Sequence, residues 1–260
     1  MPEGDTVFLA AMQLRGALDG RVLTRTDFRV PRYATVDLRG RTVVGIEPRG
    51  KHLLTRFDGD LTLHTHFRMD GVWRVQAPDA RIPGGRDQVR VVLTNEDYSA
   101  VGLRMPVVDL LPTAHEARVV GHLGPDLLGP DWDADEAARR LAAQPARSIG
   151  EALLDQRNLA GIGNVYRAEL CFLRGVSPFA PVADAGDLRA WADLARRALA
   201  ANRTRHGHVT TGDTRPGQQH WVYGRAGRPC RRCRTPIRRV DAGQPPRVVF
   251  WCPRCQPDPR

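Results

Sequence analysis

Residues 153–169 read LLDQRNLAGIGNVYRAE. Apolar residues recur at helical spacing on both sides of a glycine-rich hinge, so the stretch predicts helices over 148–158 and 165–174. Leu159, Ala160, Gly161, Ile162, Gly163 and Asn164 join them. Gly161 and Gly163 would let backbone amides approach an anion in front of a helix N-terminus, with Asn164 as a further donor, which is the chemistry of a phosphate clamp. Glycine turns between helices are also common as plain corners, and this element alone leaves both readings open. Further helices are expected over 133–143, with Asp133 as cap, and over 186–202.

Downstream, the polar loop 206–220, HGHVTTGDTRPGQQH, leads into a segment with Cys230-x2-Cys233, eighteen residues, then Cys252-x2-Cys255. That spacing fits four thiolates around a tetrahedral zinc, a structural ion because no coordination position stays open. Disulfides are the alternative, disfavoured in a cytosolic chain. The fifth cysteine, Cys171, lies on an apolar helix face and reads as a small buried hydrophobe. Residues 225–260 hold ten arginines against two aspartates. Arg247, expected at the turn before a strand over 248–251, could lay its guanidinium on a phosphate; a solvated basic surface around a structural metal is the alternative.

Upstream the pattern changes. Residues 5–18 read as a helix capped by Asp5 or Thr6, with Val7, Leu9, Ala10, Leu14 and Leu18 near helical spacing. From 21 to 110 run short β-type segments, VLTRTDFRV, TVVGIEP, HLLTRF, LTLHTHF, GVWRVQA, QVRVVLTN and SAVGLRM, separated by Gly, Pro and Asp, which points to a β-sandwich or barrel. Residues 112–130 look like a connector with a short helix. No repeats occur. The expected organisation is therefore α+β and multidomain: a β-sandwich with an N-terminal helix over 1–112, a linker over 113–130, a helical domain over 131–219 and a four-cysteine zinc finger over 220–256.

The chain of 260 residues carries a net charge of +10 and a pI near 10.3, which favours a polyanionic partner such as nucleic acid without excluding an anionic membrane surface. No apolar run reaches the roughly 18 residues of a membrane span, and the start lacks the basic and apolar regions of an export signal, so a cytoplasmic chain is expected. Among 39 cationic side chains there is one lysine, Lys51. Arginine cannot replace lysine where a compact or deprotonatable amine is needed. At the start, removal of the initiator methionine would leave Pro2 with a free secondary amine. An α-amine titrates near about 7.7 to 8.0, far below a lysine, so much of it is nucleophilic at neutral pH. Attack on a sugar C1′ would give an iminium already positively charged, and Glu3 could transfer protons.

Six ordered segments, MPEG at the start, RGKHLL at 49–54, HFRMDG at 66–71, LLDQRNLAGIGNVYRAE at 153–169, VYGRAGRPCRRC at 222–233 and RVVFWCPRC at 247–255, together resemble the formamidopyrimidine-DNA glycosylase and endonuclease VIII family of base-excision repair enzymes. The resemblance implies a β-sandwich headed by a helix bearing Pro2 and Glu3, then a helix-two-turn-helix domain ending in a zinc finger, with damaged DNA, duplex or single-stranded, in the cleft between them. By the same resemblance Pro2 is the Schiff-base nucleophile, Glu3 the general acid/base, Lys51 a proton donor, Arg247 the finger arginine that grips phosphate and supports δ-elimination, and Asn164 a phosphate ligand. Met69, beside Arg68 and Asp70, falls in the loop that fills the gap left by a flipped nucleotide.

The sequence departs from the family pattern in places. Asp5 and Thr6 stand where proline and a second glutamate are frequent, which looks like an actinobacterial endonuclease VIII branch. His122 stands where an arginine often precedes the GPD turn, and is a candidate DNA contact in its place. The short loop TTGDTRPGQQH replaces the longer one that covers a purine in the 8-oxoguanine branch, and favours oxidised pyrimidines. The expected activity is a bifunctional glycosylase and AP lyase acting by β,δ-elimination, as a nucleoid-associated monomer with one zinc and no small-molecule cofactor. The rival readings are a purine-directed glycosylase and a non-catalytic zinc-ribbon protein that binds damaged DNA.

Overall fold

The computed structural model describes residues 2–85, 87–243 and 245–257, which fold as two compact units divided between His122 and Leu123. The first unit opens with helix α1 (Gly4–Leu18). It begins one position before the expected start and its cap is Glu3, not Asp5 or Thr6, because the Thr6 hydroxyl takes the Glu3 amide N–H at 3.4 Å and fixes the first turn. Val7, Ala10, Ala11, Leu14 and Leu18 then share one buried face.

Eight strands follow: β1 (Arg25–Phe28), β2 (Val43–Arg49), β3 (His52–Phe57), β4 (Leu61–His66), β5 (Val72–Gln76), β6 (Val89–Thr94), β7 (Ser99–Leu103) and β8 (Val107–Pro112). They form two antiparallel sheets of four, ordered β1-β6-β7-β5 and β2-β3-β4-β8. Phe28, Trp73, Val91 and Leu93 from the first sheet meet Ile46, Leu53, Phe57 and Leu63 from the second in one core that also holds the apolar face of α1. This is the expected sandwich with its N-terminal helix. Strand β8 was not among the expected runs: Pro106 and Pro112 frame it and Asp109 interrupts it. It is tolerated because it is the edge of its sheet, where proline costs no ladder bond to a further neighbour.

The connector is a single helical turn at Thr113–His115 followed by α2 (Ala117–Val120). Glu116 ties it to the outer face of the second sheet, accepting two bonds of 2.7 Å from the Arg56 guanidinium and a third from the Thr62 hydroxyl.

The second unit contains α3 (Ala134–Ala142), α4 (Ile149–Leu154), α5 (Asn164–Arg174), α6 (Leu188–Ala200) and the hairpin of β9 (Arg238–Ala242) with β10 (Arg247–Trp251). Asp133 caps α3 as expected, accepting from the Asp135 and Glu136 amides. Helix α4 ends at Leu154, well before the expected 158, because side-chain amides capture the carbonyls that would continue it. Asn158 donates to Ala152 O, and Gln156 donates to Leu154 O and Ile162 O. The turns between α4 and α5 are thereby built by two side chains.

Helix α5 has almost no solvent face, since every residue from Asn164 to Phe172 is buried. Tyr166, Leu170 and Cys171 pack into the helical core with Trp191, and Ala168 and Phe172 pack under the hairpin with Val222, Ile237 and Phe250. Between them the Glu169 carboxylate, fully buried, accepts the backbone N–H groups of Trp221, Val222 and Tyr223 at 2.7 to 2.9 Å and the Thr210 hydroxyl. It seats the approach to the hairpin on the helix. Glu169→Ala should destabilise this unit by at least about 3 kcal/mol, because it strands buried N–H donors. Thermal unfolding and protease cleavage within 206–229 measure this, and an unchanged melt would contradict it.

Candidate active site

The residues expected to carry chemistry in the first unit lie on α1 and on the turns of the second sheet. Pro2 is half-buried immediately before the helix, and Glu3 is fully buried at its cap. Helix α1 packs on β2, and the Arg15 guanidinium donates to Ile46 O at 2.6 Å. Strands β2 and β3 are joined by Gly50 and Lys51 alone, with Arg49 paired to His52. Gly50 has φ +57°, and such a conformation at the first of two turn residues suits glycine. The chain's only lysine is thus held, half-buried, at the tip of a tight hairpin.

Arg68 and Met69 sit in the turn after β4. Arg68 adopts φ +52°, and Met69 is 61% exposed, a large apolar side chain left in solvent. Gly71 closes this turn, with its N–H on Phe67 O at 2.8 Å; a Cβ there would lie 2.6 Å from the same oxygen, so glycine is required.

Sequence reading missed what links these turns. His52 Nδ1 lies 2.8 Å from His64 Nε2, with the rings stacked at 5.0 Å between centroids. His66 stands edge-on to His52 at 4.7 Å, and exposed His122 reaches the same ring at 6.1 Å. The Arg68 amide donates to His66 Nδ1 at 3.0 Å. The structure therefore brings Lys51, Arg68 and His122 around a shared set of imidazoles. The signal was the alternation His64-Thr65-His66 beside His52, which puts three rings on one face of paired strands. Burial holds the His52 ring neutral, down to about 3, with help from the neighbouring imidazoles and Arg68. Burial, then Arg68 and Lys51, lower His66 to about 4.

In the second unit, Gly161 takes φ +116° and its N–H bonds the Gln156 side chain at 3.1 Å. Gly163 is the residue before α5. Asn164, at the first turn of that helix, donates its amide to Val248 O at 2.8 Å, and its Oδ1 is buried without a hydrogen-bond partner. Arg167 donates to the same carbonyl at 2.7 Å. Arg247, adjacent to it, is exposed and is the first residue of β10, paired with Ala242, so it belongs to the strand and not to the turn before it.

The four cysteines converge. The Sγ atoms of Cys230, Cys233, Cys252 and Cys255 all lie within 4.8 Å of one another, with Cys233–Cys252 at 3.4 Å and Cys230–Cys255 at 3.9 Å. A tetrahedral ion with metal–sulfur bonds of about 2.3 Å separates its sulfurs by about 3.8 Å, so the donor set fits such an ion. Bonds from Thr235 lower the Cys233 thiol to about 6. Cys171 is fully buried and its thiol is pushed up to about 12, an inert core residue as expected.

A β-sandwich headed by a buried glutamate, joined in one chain to a two-turn helical element and a four-cysteine hairpin, defines a class. Residues 1–105 match the formamidopyrimidine-DNA glycosylase N-terminal domain and residues 123–191 its H2TH domain. The chain belongs to the formamidopyrimidine-DNA glycosylase and endonuclease 8 family, in an actinobacterial branch similar to Nei2. It is 60% identical to the probable endonuclease 8 2 of Streptomyces coelicolor, across the whole of this chain and 95% of that one. It is 49% identical to the DNA-(apurinic or apyrimidinic site) lyase Nei2 of Mycolicibacterium smegmatis, across 98% and 99%. In fold it is similar to Lactococcus lactis formamidopyrimidine-DNA glycosylase non-covalently bound to AP-site DNA, with a TM-score of 0.82, 22% identity and coverage of 98% and 100%. Among the described residues no helix is long and apolar enough to cross a membrane.

The buried imidazoles make stability depend on pH with a definite sign. Histidines titrating near about 6.5 when unfolded bind protons that the folded chain refuses, so stability is complete above that value and is lost as pH falls. The melting temperature should fall between about pH 7 and 4.5, and less steeply in His52→Gln; equal slopes would contradict this.

Proposed function

We propose that this chain removes oxidised pyrimidines from DNA through an imine at Pro2 and nicks the strand by β,δ-elimination. The broader class, a DNA glycosylase and AP lyase of base-excision repair acting on damaged DNA, follows from the family and from relatives named endonuclease 8 and AP lyase. The observation that carries the imine reading is the sole lysine at the tip of the β2–β3 hairpin, whose strand β2 packs against the helix that Pro2 and Glu3 precede.

With Met1 removed, the Pro2 nitrogen attacks C1′ as the bond from C1′ to the base breaks and the base leaves with that electron pair. Opening of the sugar ring puts a proton on O4′, for which Lys51 and Glu3 are the assigned groups, and leaves an iminium between Pro2 and C1′. Loss of the C2′ proton then expels the 3′ phosphate with its electron pair, and a second elimination expels the 5′ phosphate. Glu3 is buried, so proton transfer there is shielded from bulk water. Arg68 and Met69 occupy the space of an extruded nucleotide, His122 and the Gly161–Gly163–Asn164 turn meet phosphates, and Arg247 holds the phosphates flanking the lesion. Met1 lies outside the described residues.

The metal is assigned as one zinc ion held by Cys230, Cys233, Cys252 and Cys255. When bound it supplies no chemistry to the reaction, since four protein ligands leave no open position, and it closes the hairpin that carries Arg247. The short 210–220 loop supports the preference for pyrimidines over purines.

Borohydride trapping on oligonucleotides carrying 5,6-dihydrouracil, 8-oxoguanine or an abasic site tests the reading, with intact mass establishing that methionine is gone. An adduct mapping to Pro2 on dihydrouracil is expected. Stronger trapping on 8-oxoguanine would move the lesion preference to purines, and no adduct on any substrate would leave a DNA-binding protein without imine chemistry. Chelating the metal should unfold the hairpin and weaken DNA binding at least about tenfold, measured by anisotropy; unchanged affinity after verified metal loss would refute the assignment.

A further inference from the structure

Neither the mechanism above nor the packing of the core uses the imidazoles on the outer face of the second sheet. His52 stands opposite His66 in the β3–β4 ladder, and His64 is opposite Leu54 on β3 and opposite Asp109 on β8, so all three rings share one face. His64 is the deepest, 4% exposed, and its Nδ1 is buried with no hydrogen-bond partner. A hydrogen bond between two imidazole nitrogens needs one donor and one acceptor, so at least one of His52 and His64 is neutral while they are joined.

Other charges surround the pair. Lys51 precedes His52, and Arg68 follows β4 with its amide on His66. His122 approaches His52 from the connector. Asp109 faces His64 from β8, already occupied by the Tyr33 hydroxyl and by Arg32 at 3.4 Å. A proton on either ring would set another cation beside Lys51 and Arg68, with one nearby carboxylate engaged elsewhere. A second proton would remove the acceptor and break the bond.

We propose that the His52–His64 pair is a positioning element of the reaction: as a neutral hydrogen-bonded pair braced by His66, it holds the hairpin tip bearing Lys51 in register with the turn bearing Arg68 and Met69. This rests on the reading of Lys51 as a proton-transferring group. The pair touches no substrate and acts through the backbone on either side of it. Its neutrality keeps the tip from becoming a cluster of mutually repelling cations before a phosphate arrives.

Two substitutions separate positioning from simple packing. His64→Leu keeps volume and removes the bond, while His64→Gln keeps an amide that donates and accepts but does not titrate. Single-turnover cleavage of abasic-site DNA should slow about tenfold or more in His64→Leu at neutral pH, while affinity for tetrahydrofuran-containing DNA stays within about threefold. His64→Gln should recover the rate to within about threefold. A wild-type rate in His64→Leu or equal losses in both variants would each overturn the proposal. Lys51→Met provides the control. If it cleaves at the wild-type rate, the reading of Lys51 fails and the proposal falls with it; if it is inactive while His64→Leu is unaffected, the proposal alone fails.

Discussion

A helix without a solvent face constrains the whole second unit. Most helices bury one stripe and leave the other wet. Helix α5 is enclosed by the helical core on one side and by the cysteine hairpin on the other, with a carboxylate buried between them. A buried charge is expensive unless its lone pairs are filled, and Glu169 fills them with three consecutive backbone amides and a hydroxyl. The reverse is also true, since residues 221–223 have a direction in space only because this carboxylate gathers their N–H groups. At the other end of α5, Asn164 and Arg167 share the carbonyl of Val248, which fixes the strand beside Arg247. One helix thus sets both the root of the hairpin and the strand that begins with Arg247.

The first unit uses alternation for two purposes. On the inner face of the second sheet the odd positions Leu53, Phe57 and Leu63 build the core. On the outer face the even positions His52, Arg56, Thr62, His64 and His66 form a polar layer, and the connector comes down on it through Glu116. The same strands therefore carry stability on one side and an organised polar network on the other, and the hairpin tip between β2 and β3 belongs to both.

Much of this was legible in the residues. The periodicity of α1, the run HLLTRF and the paired CxxC motifs correspond to elements found where expected, because each is specified by local pattern or fixed spacing. The misses share a cause. Strand β8 exists because β4 offers it an edge, a partner that no local propensity reports. The end of α4 was lost to side-chain amides of Gln156 and Asn158, which compete with the helix from two and four residues beyond its end. The histidines carried no reading in the sequence, since what joins them is the pairing of β3 with β4 and the approach of His122 from a connector far along the chain. Pro2, Glu3 and Lys51 were visible as candidates through the motif and the single lysine, whereas the imidazoles joining Lys51 to Arg68 required the register of two strands.

The arginine-for-lysine composition has a further consequence. With 39 cationic side chains and one lysine, the positive surface is indifferent to every reagent and enzyme that modifies primary amines. Acetylation of basic side chains has a single target, Lys51 at the tip of its hairpin. Gradual loss of basic charge by successive amine acetylation is replaced here by an all-or-none event at one amine. Isotopic methylation of that amine would place one side-chain reporter in the whole protein.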